Sequence, residues 1–323
     1  MAYVFDSFDT TKAIPGTPQG CLWGFYDRDG KDEVGSINLL TPEVVLAAKE
    51  EIKTGRHVQL DWPLNALSHP GFGRKPFAQR VLNLLEKSET CAFDDEIHLN
   101  TQSGSQWDSL KHYAGQKDKV FYNGLTYQEA LHSTTNGIHN WCERGGIVGR
   151  GVLVDMVRFY EERDGAMPSP TSRFEIPVRD IEAAMAAQKT ETRQGDILFV
   201  RSGFVRWHNG ATDAERHQGT KTQNTFIGVQ ASEESVRWLY ERHFAALVGD
   251  TVAFEVWPPA EGSSWHLHEW ALVWWGTPLG EMWDLEALSV ECARQDRYSF
   301  FLTSAPLHVK GGVGSPPGAI AIF

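Results

Sequence analysis

Six short runs rich in apolar, β-branched or aromatic residues recur along the chain, most of them bounded by glycine or an acidic residue. They are Val58–Asp61, Gly151–Val157, Gly195–Arg201, Ala245–Val248, Ser299–Thr303 and Ala319–Phe323. Each reads as a buried strand. Between them lie stretches with helical spacing. Thr41 is a good N-cap, with Pro42 at the first helical position, Glu43 in the first turn and Val44, Val45 and Leu46 following. Arg179–Thr190 is rich in alanine, with Asp180 near its start. Ser232–Phe244 opens Ser-Glu-Glu-Ser, with acids at the positive end of the helix, and spaces Val236, Leu239, Tyr240 and Phe244 along one face. Helices interleaved with buried strands predict a mixed α/β domain.

The remaining composition narrows what such a domain does. Thirty Lys and Arg stand against 42 Asp and Glu in 323 residues, a net charge of −12, with no basic run of the kind that grips nucleic acid. No stretch approaches the roughly 18–20 uninterrupted apolar residues of a membrane span. The opening MAYVFDSFDTT lacks the basic and apolar regions of a signal peptide. Cys21, Cys91, Cys142 and Cys292 are far apart, without a CxxC pair, which argues against a disulfide framework or zinc ribbon and suits a cytoplasmic protein. The glycines of Gly145–Gly151 precede a strand rather than open a helix, so this segment reads as a turn using positive φ, not a phosphate loop.

Two polar clusters are candidates for chemistry. In Asn100–His112, Gln102, Gly104, Gln106 and Asp108 share one parity and would project from one face of a strand, with His112 four residues on. The alternative is a polar turn capped by Asp108. In Trp265–Leu285, His266, His268, Glu269, Glu281 and Asp284 are embedded among aromatic and apolar residues, where ionisable groups need partners. The bland reading of His266 is a core histidine. The tryptophans at 257, 265, 270, 274, 275 and 283 read as core rather than as a carbohydrate platform.

Together the clusters resemble the metal-dependent cyclase/hydrolase family that includes bacterial kynurenine formamidase, isatin hydrolase and trans-dienelactone hydrolase. The family pattern His-x-Gly-Thr-His-x-Asp-x-Pro-x-His is met by Gln102-Ser-Gly104-Ser105-Gln106-Trp-Asp108-Ser-Leu110-Lys-His112. Gly104, Asp108 and His112 are in register, while glutamines replace two histidines, serine replaces threonine and leucine replaces proline. Downstream, HEWALVWWGTPLGEMWDL places His268 and Glu281 on the family's His and Glu. The segments GRGVLVD, GDILFVRSGF and ALVGDTVAFE run between them in family order, and SQWDSLKH with FYNG resembles a longer, glutamine-bearing branch. The similarity spans residues 35–310, leaving residues 1–34 as an N-terminal arm and 311–323 as a tail.

The resemblance implies a single-domain swivelling β/β/α fold, with a mixed, partly barrel-like sheet flanked by helices. It also implies a homo-oligomer, dimer or tetramer, for which the two apolar termini are candidate contacts. It implies that Asp108, His268 and Glu281 hold a metal, that Gln102 and Gln106 stand at ligand positions, and that His112 is a general base. Trp107, Phe121, Tyr122 and Trp257 flank the motifs as candidate substrate contacts. A mostly oxygen donor set with one imidazole suits a single Mn²⁺ better than Zn²⁺, which stays possible. The expected activity is metal-assisted hydrolysis of a cyclic amide, aryl formamide or lactone. The alternatives are a metal-independent cyclase or isomerase using His112 with Asp108 or Glu281, and a non-catalytic small-molecule binder.

Overall fold

The computed structural model describes residues 3–86 and 88–323. Its centre is a nine-stranded mixed sheet that curls into a half-barrel. In chain order the strands are β1 (His57–Gln59), β2 (Gln106–Asp108), β3 (Ile147–Asp155), β4 (Ile197–Arg201), β5 (Ala246–Gly249), β6 (Leu279–Glu281), β7 (Ser299–Ser304), β8 (Gly314–Ser315) and β9 (Ala319–Ile322). Across the sheet they run β1-β9-β7-β3-β4-β5-β6-β2-β8. The block β3-β4-β5-β6 is parallel, and the pairings on either side of it are antiparallel. The parallel strands are buried almost throughout, as two covered faces require.

The helical expectations are met. Helix α1 (Pro42–Ala48) starts where the Thr41 hydroxyl accepts the Val44 N–H, and α3 (Val178–Ala187) covers most of the alanine-rich run. Helix α4 (Glu233–Arg242) is capped by Ser232, and α5 (Glu286–Gln295) follows β6. Helix α2 (Met156–Asp164) was not expected: Asp155 ends β3 by capping it, accepting the Arg158 N–H at 3.1 Å, so the strand stops two residues short of Val157. Only part of the Gly145–Gly151 segment is a turn. Gly145 and Gly146 have positive φ, but Gly149 and Gly151 lie inside β3. At Gly151 a Cβ would come within 2.3 Å of the Phe300 ring on β7, so close strand packing, not backbone freedom, selects that glycine.

Both ends of the described chain pack against its body. Phe5 stacks on His243 with ring centres 3.8 Å apart, Phe8 packs edge-on to Tyr240, and the Phe8 N–H donates to Glu241. The expected C-terminal tail contributes β8 and β9 to the sheet. The four cysteines are free thiols, and among the described residues no helix is long and apolar enough to cross a membrane. A hairpin of Ala78–Asn83 with Phe93–His98 stands apart from the sheet, with Val81, Phe93 and Ile97 exposed.

The core has two parts. The larger fills the space between sheet and helices, and a smaller one gathers Trp62, Leu67, Phe204, Val205, Phe226, Val252 and Met282, with Trp207 and Trp257 against it. His208 lies under the Trp62 ring in this smaller core, its Nε2 without a hydrogen-bond partner. Burial, with the nearby Arg216 charge, pushes the imidazole from 6.5 down to about 4. Protonation therefore favours the unfolded chain: the stability is intact above 6.5 and is lost as pH falls from 6.5 towards 4. Between pH 7 and pH 5 the loss at this residue is about 2 kcal/mol. Melting curves of wild type and His208→Leu over that range are expected to show the variant losing less stability on acidification, and parallel losses would refute this account.

Candidate active site

The site lies where the parallel block meets the antiparallel edge. Strands β2 and β6 pair so that Glu281 opposes Gln106 and Leu279 opposes Asp108. Opposed residues share a face, so Gln106, Asp108 and Glu281 project together. Trp107 points the other way: its ring packs on Trp141 and Trp283, and its indole N–H donates to Ser304 Oγ at 2.9 Å. The strand is shorter than the alternation suggested. Gln102 precedes it in a turn held by Asn100, and reaches the site from there.

A chain of hydrogen bonds links these groups. Gln102 Nε2 donates to Asp108 Oδ1 at 2.6 Å, and Gln106 Nε2 donates to Gln102 Oε1 at 2.6 Å and to Glu281 Oε2 at 2.7 Å. His268, entering at the head of the wide helical turn Glu269–Trp275, sets Nε2 3.0 Å from Glu281 Oε1. Its Nδ1 is 2.7 Å from Glu255 Oε1, which also accepts the His268 N–H, while Glu255 Oε2 accepts the Leu267 N–H. Glu255 thus fixes both the ring and the start of the helix that bears it. His112 Nε2 lies 4.0 Å from Asp108 Oδ2.

The backbone around the two glutamates is forced. Phe254 and Met282, neighbours of Glu255 and Glu281, have φ of 55° and 51°, a region that bulky residues rarely adopt. Gly228 crosses so near that a Cβ there would meet the Glu255 carbonyl carbon at 2.2 Å.

Charge is unbalanced in this buried volume. Glu255 and Glu281 flank the His268 imidazole, and Asp108 stands beside them with His112 4.0 Å away. Burial opposes charge on His268, but its hydrogen bonds to Glu255 and Glu281 override that and hold it well above the ordinary imidazole value. Burial and the Asp108 charge push Glu281 up to about 7 against the pull of His268. Burial holds His112 below 6.5, although Asp108 opposes the shift. Asp108 Oδ2 and Gln106 Oε1 are buried without hydrogen-bond partners.

These features fit a bound cation. Donor atoms of Asp108, His268 and Glu281 all lie within 4.8 Å of one another, and two unpartnered buried oxygens stand beside them. Excess buried negative charge is what a divalent ion would offset, and oxygen donors with one imidazole form a hard set. Glu255 would then orient His268 through Nδ1, leaving Nε2 for the ion. Glu255→Gln is expected to weaken Mn²⁺ binding by about 10- to 100-fold with the fold retained. A Mn²⁺ titration giving wild-type affinity would assign Glu255 to the fold alone.

The other expected residues are placed as follows. His266 is half-buried rather than a core histidine, Glu269 accepts the Gln116 N–H at the edge of the site, and Asp284 is engaged with Leu60 and Glu286. Tyr122 donates to Asp32 within the large core, and Phe121 stacks on Tyr127, so neither faces the cluster. Trp257 flanks the smaller core, edge-on to Phe72. Glu255 was legible in principle, being an acid in the apolar run Val-Ala-Phe-Glu-Val-Trp, the same signal that marked Glu281. Tyr113, whose ring lies 5.2 Å from that of His268, and Arg74 had no such signal.

The fold and this cluster define a member of a known class. A family model named Cyclase, described as "Putative cyclase", matches residues 30–256. The chain belongs to that family. The match stops before His268 and Glu281, whose assignment rests on the geometry above. A crystal structure of a novel cyclase is 30% identical, with a TM-score of 0.81 over 94% of this chain and 99% of that one. Isatin hydrolases A from Labrenzia aggregata and Ralstonia solanacearum share the fold at 18% identity, with TM-scores of 0.59 and 0.58 over 88% of this chain and 98% of each of theirs. No curated protein matches the sequence significantly.

Proposed function

We propose that this protein is a metal-dependent hydrolase of a small aromatic or cyclic substrate, acting on a cyclic amide, an aryl formamide or a lactone. The carrying observation is the unpartnered Asp108 Oδ2, 4.0 Å from His112 Nε2, on a carboxylate that lies within 4.8 Å of the His268 and Glu281 donors. The shared fold of the isatin hydrolases supports hydrolysis as the reaction class. A divalent ion, when bound by Asp108, His268 and Glu281 with Gln102 and Gln106 beside it, polarises a carbonyl and makes water more acidic. Mn²⁺ is the favoured ion and Zn²⁺ the alternative.

The chain's own residues do the rest. His112, neutral at working pH because burial disfavours its charge, accepts a proton from the attacking water at Nε2. It returns that proton to the departing nitrogen or oxygen, so acid and base roles alternate on one group. Glu255 holds the His268 ring against rotation.

One observation favours a second reading. The run Gln102–Gln106–Glu281–His268–Glu255 is internally hydrogen-bonded, so acid–base chemistry without an ion, or simple binding, has a ready-made polar floor. The test is metal analysis of protein purified without chelator, with turnover of lactones, formanilides and cyclic imides followed before EDTA, after EDTA and after Mn²⁺. Loss and recovery of activity supports the hydrolase. Turnover indifferent to EDTA moves the reading to a metal-independent cyclase or isomerase, and neither metal nor turnover moves it to a binding protein.

A further inference from the structure

Arg74 is a half-buried cation beside an acidic site, yet it forms no ion pair among the described residues. One guanidinium N–H donates to the Gln102 carbonyl at 2.9 Å. That bond holds the group over the loop that delivers Gln102 to Asp108, and its charge acts on both His112 and Glu281. An arginine has five N–H donors in a planar fork, and the others have no partner here among the described residues. An unpaired guanidinium tied to the loop that delivers Gln102 to such a cluster makes chemical sense when an anion is to be received there.

The surroundings supply the rest of a recognition surface. The guanidinium carbon lies 4.9 Å from the centre of the Phe72 ring, and Phe72 meets Trp257 edge-on at 5.6 Å. Phe72 is 46% exposed despite its size, and its φ of 56° is strained for an aromatic residue. The loop is pinned in place: the Arg74 N–H donates to the Gly71 carbonyl, and a Cβ at Gly71 would meet the Thr220 carbonyl at 2.7 Å. Trp257, two residues after Glu255 in the chain, flanks the smaller core, and it is Arg74 that ties this loop to Gln102 of the cluster. An exposed aromatic side chain next to a fixed cation offers an apolar contact and a charge to a ring bearing a carboxylate.

We propose that Arg74 and the exposed Phe72 form a subsite for a carboxylate-bearing aromatic substrate, with Arg74 pairing with the carboxylate. The inference rests on the reading of the adjoining cluster as a hydrolytic site and names its substrate class. The Arg74 fork receives the carboxylate and the ring packs against the exposed part of Phe72, next to the loop that delivers Gln102 to Asp108.

The test compares charged and neutral probes on the Mn²⁺-supplemented full chain. Binding of phenylacetate and of phenylacetamide is read by tryptophan fluorescence or calorimetry. Turnover of 4-formamidobenzoate and of its methyl ester is followed in parallel. Arg74→Gln keeps a donor for the Gln102 carbonyl and removes the charge. It is expected to weaken phenylacetate binding at least tenfold, the usual scale for a charged hydrogen bond. Phenylacetamide binding should change less than twofold. Arg74→Lys should retain part of the preference, because it keeps the charge and loses the fork. Equal weakening of both probes would make Arg74 a support for the Gln102 loop, and no change in either would remove it from recognition; both overturn the proposal. Arg74-dependent phenylacetate binding without turnover of any substrate would leave the subsite standing and refute hydrolysis alone.

Discussion

Replacing Asp108 with asparagine is expected to reduce turnover by on the order of 10³-fold and to leave the purified protein without bound Mn²⁺. The substitution is nearly isosteric. The amide oxygen of the Asp108→Asn side chain can still accept from Gln102 Nε2, so the turn before β2 keeps its anchor. What changes is the second atom: the buried Oδ2, which has no hydrogen-bond partner, becomes an NH₂ that repels a cation. Removing this charge also removes one of the influences that push Glu281 up to about 7, so thermal stability of the metal-free protein should not fall. Metal content and melting temperature measured on the same preparation separate these effects. Full occupancy with near-normal activity would sink the ligand assignment.

His112→Ala is expected to lower kcat by about 10²- to 10⁴-fold, the range for losing a positioned proton carrier, while metal content stays at the wild-type level. The ring is four residues beyond Asp108 and its Nε2 lies 4.0 Å from the free oxygen, outside hydrogen-bond range of that carboxylate and at a separation one water can bridge. Burial sets its proton affinity below the ordinary 6.5. The neutral ring is the working form, so the acidic limb of the kcat/KM profile should fall below that value, and activity should decline as pH drops through it. A variant that loses its metal would make His112 a ligand, and an unchanged kcat would exclude it from proton transfer.

Much of this arrangement could be read from residue order because it rests on local rules. Thr41 and Ser232 announce helix starts through hydroxyls that accept amides two or three residues on, and the apolar runs of β3, β4 and β5 need nothing beyond their own composition. His268 and Glu281 are visible as ionisable residues whose apolar surroundings demand partners, and Asp108 by its parity with Gln102 and Gln106 in a polar cluster. What stayed hidden depends on distant chain. Gly149 and Gly151 exist for Leu40 and Phe300, Trp107 turns inward because the sheet is covered behind β2, and Tyr122 is bound to Asp32. Gln102 was placed on the correct side of the cluster for an incomplete reason: it arrives by a turn, not by strand alternation. Arg74 sits in a loop of glycines and basic residues, where nothing local says which cation will meet an acid.

The pairing of β2 has a consequence for how the molecule is made. This three-residue strand is held between β6 and β8, and the bond from Gln106 to Glu281 spans 175 positions of sequence. During synthesis, Gln106 and Asp108 emerge long before either neighbouring strand exists, and they stay hydrated until the chain is nearly complete. Closure is therefore a late, high-contact-order event that must follow assembly of the parallel block. An ion captured there would stabilise the finished fold by mass action without nucleating it. Loss of the chain from Gly314 onward, which takes β8 with it, would then be felt as failure to close this edge, whereas loss of β9 alone opens the sheet on its other side, between β1 and β7.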